Sequence, residues 1–153
     1  MKRILVVLFF FMAAVVALPA PPQNTFSPDQ IKFGPVPPVL PAGAQLAVLE
    51  GDPMGPSGDF TLRLKMPDGY RIAPHWHPKR ENVTVVSGNF QLGMGCSFVT
   101  PKMKTFGAVN FASMVPRRST QRIAVVGTGG PVHRQDTFQI NYVNPRDNPS
   151  MKK

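Results

Sequence analysis

The residues with the most chemical potential in this chain are His75, His77 and Glu81, in the stretch Gly69-Tyr-Arg-Ile-Ala-Pro-His75-Trp-His77-Pro-Lys-Arg-Glu81-Asn-Val-Thr-Val-Val-Ser-Gly88. Side chains alternate faces along an extended strand, so His75 and His77 share one face and Trp76 takes the other. Glu81 follows a turn at Pro78, Lys79 and Arg80 and opens a β-rich run, from which its carboxylate folds back toward the two imidazoles. Two neutral imidazoles and one carboxylate form a borderline-hard donor set. It suits a divalent transition metal (Mn, Fe, Ni, Cu or Zn) with coordination positions left open.

Short strands must position these residues. The 18 prolines and 13 glycines punctuate short apolar runs, and helical periodicity is weak beyond the first twenty residues. This pattern predicts an all-β chain, a β-sandwich or barrel. Gln45 to Leu49 reads as a first strand, and Phe60, Leu62 and Leu64 alternate with Thr61, Arg63 and Lys65 in a half-buried strand. Asp68-Gly69 signals a turn into the histidine strand. Strands are expected at Glu81 to Val86 and, after a tight turn at Ser87-Gly88-Asn89, at Phe90 to Met94. Gly107 to Ser113, Arg122 to Val126 and Phe138 to Val143 complete eight strands, enough for a jelly roll closed around a cavity.

The histidine stretch resembles the first motif of the cupin superfamily: a glycine, His-x-His, a glutamate and a second glycine. Here these are Gly69, His75, His77, Glu81 and Gly88. Residues 40 to 52, the strand Phe60 to Lys65 and the ending Phe138 to Pro145 are also similar to small, single-domain, exported bacterial cupins. The resemblance implies a jelly-roll domain over residues 40–145, with His75, His77 and Glu81 as metal ligands. It implies a small-molecule ligand, and either a metal-dependent enzyme of dioxygenase or isomerase class or a non-catalytic binding module. The fold alone does not choose between these. For an enzyme, Glu81 or Tyr142 would be the acid or base.

The sequence departs from the family in one region. The second cupin motif carries Pro-x-Gly and a further histidine ligand. Gly107 to Met114 resembles the start of that motif, but Val115-Pro-Arg-Arg-Ser-Thr-Gln-Arg122 has neither element. His133 matches a different family position and is not assigned the missing role. Two readings stand. In one, this is a three-ligand site like the facial triad of non-haem iron enzymes. In the other, residues 115–134 record a local reading-frame slip in the gene.

Lys2 and Arg3, the apolar run Ile4 to Val16 and the small residues after it have the layout of a secretory signal peptide, with cleavage expected after Ala17. The apolar run is shorter than the roughly 20 residues of a spanning helix, which disfavours an uncleaved anchor. Export to the periplasm or beyond follows. Residues 18–39 form a proline-rich arm, of the kind cupins use at a dimer interface, which makes a homodimer a candidate assembly. Residues 146–153 are a tail. The net charge of +9 becomes +7 without Lys2 and Arg3. The basic residues are scattered, no nucleic-acid-binding pattern occurs, and no nucleic acid is expected as a partner. A single cysteine, Cys96, excludes an internal disulfide.

Overall fold

In the computed structural model, residues 24–56, 58–97, 102–135 and 138–152 are described, with 121–135 described at backbone level. The predicted signal peptide lies outside these residues. The chain is an all-β jelly roll. Its strands are β1 (Gly34–Pro35), β2 (Gln45–Glu50), β3 (Asp59–Met66), β4 (Arg71–Trp76), β5 (Glu81–Thr84), β6 (Ser87–Met94), β7 (Lys104–Phe106), β8 (Phe111–Met114), β9 (Thr120–Gln135) and β10 (Asn141–Tyr142). Two short 3-10 turns, Pro145–Asp147 and Pro149–Met151, follow. No helix among the described residues is long and apolar enough to cross a membrane.

One strand organises the sheet. β9 runs for 16 residues and is antiparallel to four others. Along one edge β3 pairs with its far end (Asp59 opposite Gln135, Met66 opposite Thr128), and β4 pairs with its near end (Arg71 opposite Ile123, His75 opposite Thr120). Along the other edge lie β5 (Glu81 opposite Arg134) and β6 (Ser87 opposite Gly129, Met94 opposite Thr120). The Asp68-Gly69 turn is therefore a corner within one long path. Tyr70 N–H donates to Pro67 O at 3.1 Å, Gly69 supplies φ 73°, and the chain resumes against the same partner strand.

Three sequence expectations need correction. Ser87-Gly88-Asn89 is not a hairpin turn: it is the start of β6, with Gly88 at φ 73° and register shifts on both sides of Asn89. The glycine makes a bulge that lets the chain continue along β9. Gly107–Asn110 is a turn, closed by Asn110 N–H to Gly107 O at 3.2 Å, and the strand begins at Phe111. The expected strand Phe138 to Val143 contracts to Asn141–Tyr142.

The arm is tied to the barrel from Gly34 onward. β1 pairs with β2 (Gly34 opposite Leu46), Val36 and Val39 pack on the core, and Leu40 is buried. The core comprises the inward residues of β3 (Phe60, Leu62, Leu64), together with Ile72, Val83, Val85, Phe90, Leu92, Met114 and Phe138. Phe60 is fully buried and meets Phe138 edge-on, with centroids 6.2 Å apart.

Two stability outcomes follow. Phe60→Ala should cost about 3–5 kcal/mol, because it opens a cavity at the centre of the core. Val109 is a β-branched residue at φ 61° and is 87% exposed, so it carries backbone strain without packing in return. Val109→Gly should raise stability by about 1 kcal/mol. Urea denaturation of both variants measures these effects.

Candidate metal centre

β4 delivers His75 to the interior, His77 follows directly after its end at Trp76, and β5 delivers Glu81. His75 is 0%, His77 5% and Glu81 2% exposed, while Trp76 between the histidines is only half-buried, as alternation requires. The imidazole rings meet edge-on, with centroids 4.9 Å apart at 77°. Pro78 to Arg80 turns the chain. His77 Nε2 then lies 3.2 Å from Glu81 Oε2.

Each imidazole is oriented by a backbone carbonyl. His75 Nδ1 donates to Ala73 O at 2.7 Å, and His77 Nδ1 donates to Gln139 O at 2.7 Å. A carbonyl oxygen only accepts, so Nδ1 carries the proton in both rings. In the neutral imidazole, Nε2 then holds a lone pair, the form in which histidine binds a metal. Both Nε2 atoms are buried. His77 Nε2 and Glu81 Oε2 thus place two electron-rich atoms 3.2 Å apart, which needs a proton or a cation between them. Donors about 2.1 Å from one ion, at tetrahedral or cis-octahedral angles, lie roughly 3.0–3.4 Å apart. The pair therefore has the spacing of two ligands of one ion.

The structure joins His77 to Glu81 and packs His75 against His77. Among the described residues, no group of three or more His, Cys, Asp and Glu side chains stands as a ready-made ligand set. His133 lies on β9 opposite Asn82 of β5 and Thr61 of β3. Cys96 is exposed, with Sγ 3.9 Å from Ser119 Oγ. Tyr142 lies beside His75, with ring centroids 6.1 Å apart, and its hydroxyl donates to Val39 O at 2.8 Å.

One residue of this neighbourhood escaped the sequence reading. Thr120 is 1% exposed and stands opposite His75 in the β4–β9 register. Its Oγ1 is buried with no hydrogen-bond partner among the described residues. No motif marks it, because it falls in the divergent 115–134 stretch. The two carbonyls that orient the imidazoles were equally invisible, since any residue type supplies one.

No protein-family model and no curated protein matches the sequence. Solved structures do match. The polyketide cyclase RemF from Streptomyces resistomycificus is similar over 84% of this chain and 90% of its own, with TM-score 0.64 and 11% identity. An RmlC-like cupin from Shewanella frigidimarina is similar over 75% and 92%, with TM-score 0.57 and 11% identity. KdgF from a Halomonas species is similar over 72% and 93%, with TM-score 0.55 and 14% identity. At such identities the likeness is one of fold. The jelly roll built around β9, with His75 on β4, His77 just after it and Glu81 on β5, accordingly has the fold of the cupins.

Proposed function

We propose that this chain is an exported cupin that holds one divalent transition metal through His75, His77 and Glu81 and presents it to a small-molecule ligand, as a binding module rather than an enzyme. The observation that carries the reading is the 3.2 Å approach of His77 Nε2 to Glu81 Oε2 inside the barrel, with both imidazoles held by carbonyls in the metal-binding tautomer. Burying a carboxylate beside apolar side chains is costly without compensation, and an ion supplies that compensation.

The residues present fit a metal by their chemistry. Ala73 O and Gln139 O fix ring orientation, and Glu81 supplies negative charge. When bound, a divalent ion would act as a Lewis acid toward a chelating ligand. Catalysis would also need a proton-transfer group. In this reading Glu81 is a ligand of the ion, and the Tyr142 hydroxyl donates to Val39 O, so both acid–base candidates already have other roles. This favours binding over turnover. Export rests on the layout of residues 1–17, and a homodimer on the resemblance of the arm.

The test is titration of the untagged mature chain with Mn, Fe(II), Ni, Cu and Zn by calorimetry. At least one ion should bind at one per chain, and His75→Ala or His77→Ala should weaken it at least about tenfold. Affinity should fall as pH drops through the histidine range near about 6.5, because protons compete for Nε2. Equal affinity of wild type and His75→Ala for all five ions would overturn the reading.

Thr120 provides a separate check. The buried Thr120 hydroxyl has no hydrogen-bond partner among the described residues, and a hydroxyl in that state lowers stability. Thr120→Val keeps the shape and removes the hydroxyl. Metal-free Thr120→Val should be more stable than wild type by about 1–2 kcal/mol in urea. A loss of stability would show that the hydroxyl serves the fold.

A further inference from the structure

The outer face of β2 and β3 carries a feature that the barrel interior does not use. Leu62 and Leu64 point into the core, so Arg63 and Lys65 point outward. There the arm crosses the sheet and leaves a groove of about 520 Å3, lined by Pro28, Phe33, Met66, Val86, Arg63 and Lys65 among others. The volume lies within the range of small-molecule sites, about 300–1,000 Å3. One wall comes from the arm and the other from the β5–β6 junction. The register places Lys65 opposite Gly129, and Gly129 opposite Ser87. A residue without a side chain thus sits in the row between the two walls.

The chemistry of the groove is one-sided. Among the described residues its lining includes two cationic side chains and no acidic one. Arg63 Nε is buried and has no hydrogen-bond partner among the described residues. A buried guanidinium N–H left unpaired is costly, and a charged acceptor would compensate it best. Lys65 Nζ stands 3.9 Å above the centre of the Phe33 ring, which holds a second positive charge at the groove against an aromatic face. Phe33, Met66, Val86 and the prolines supply apolar surface.

From these features we infer that the groove between the arm and β3 is a binding site for a small amphipathic organic anion, a carboxylate carried on a flat apolar body. The carboxylate meets Arg63 and Lys65, and the apolar body lies against Phe33 and the exposed Val86. The site is separate from His75, His77 and Glu81, none of which lines the groove.

Calorimetry of the mature chain with 2-naphthoate and with its neutral counterpart 2-naphthamide tests this without any substitution. 2-Naphthoate should bind saturably at one per chain, and 2-naphthamide at least about tenfold more weakly, because it lacks the charge that Arg63 and Lys65 recognise. Arg63→Gln and Lys65→Gln should each bring naphthoate affinity toward that of the amide. Phe33→Ala should weaken both ligands alike, and His75→Ala should leave both unchanged. Equal binding of the two ligands to wild type, no naphthoate binding up to its solubility, or loss of naphthoate binding in His75→Ala would each overturn the proposal.

Discussion

A carboxylate buried to 2% exposure against an imidazole is the constraint on which this structure turns. Glu81 cannot sit there as a bare charge, because removing an ion from water costs on the order of several kcal/mol. His77 Nε2 faces it from 3.2 Å, and the pair needs a proton or a cation between the two atoms. His77 is in turn held by the carbonyl of Gln139, just before β10, and its own carbonyl accepts from Arg117 N–H at 2.8 Å. Glu81 on β5, the segment before β10 and the loop before β9 thereby meet at one residue, the first two at its side chain and the third at its backbone carbonyl. The polar centre also orders the barrel around it, since each partner must stay in place for the next to be satisfied.

The carrier of that order is β9. Sharing one 16-residue strand among β3, β4, β5 and β6 lets the histidine strand and the glutamate strand meet without pairing directly with each other. The arrangement makes two bends necessary, at Gly69 and at Gly88, one in each path beside β9. These are also the two glycines that frame the histidine–glutamate motif. Their positive φ turns a spacing in sequence into a physical requirement, since most side chains are strained there.

The sequence carried much of this and omitted the rest for identifiable reasons. The β3 strand was legible because Phe60, Leu62 and Leu64 alternate cleanly with polar residues, and burial on one face enforces that alternation. The approach of Glu81 to His77 was legible because only the short turn at Pro78, Lys79 and Arg80 separates them, which folds the carboxylate back toward the imidazoles. The run from Ser87 to Asn89 was misread as a hairpin because the same Ser-Gly-Asn chemistry serves a turn and a bulge, and only the partner strand tells them apart. Thr120 was missed for a related reason. A threonine acquires meaning only when the register sets it opposite His75. Gln139 contributes a carbonyl, and its side-chain identity gives no signal for that.

The arm shows how a proline-rich segment without periodicity can still belong to the site. Two tyrosines hold its end. Tyr70 donates to Pro41 O at 2.5 Å and Tyr142 to Val39 O at 2.8 Å. Burial, reinforced by the neighbouring Tyr142, pushes the Tyr70 phenol well above its ordinary pKa, so it remains a donor through the whole physiological range. Tyr142 is the cross-strand partner of His75 and its ring neighbour. Displacing the arm would free a carbonyl and a phenol next to the histidine strand, and both would then need water in a buried place. The same arm walls the outer groove through Phe33 and Pro28. The groove contacts lie early in the arm, at Pro28 and Phe33, and the tyrosine contacts lie at its end, so the two share a segment without sharing a residue. In this barrel the segment with the least regular sequence pattern is the physical link between its outer face and its polar centre.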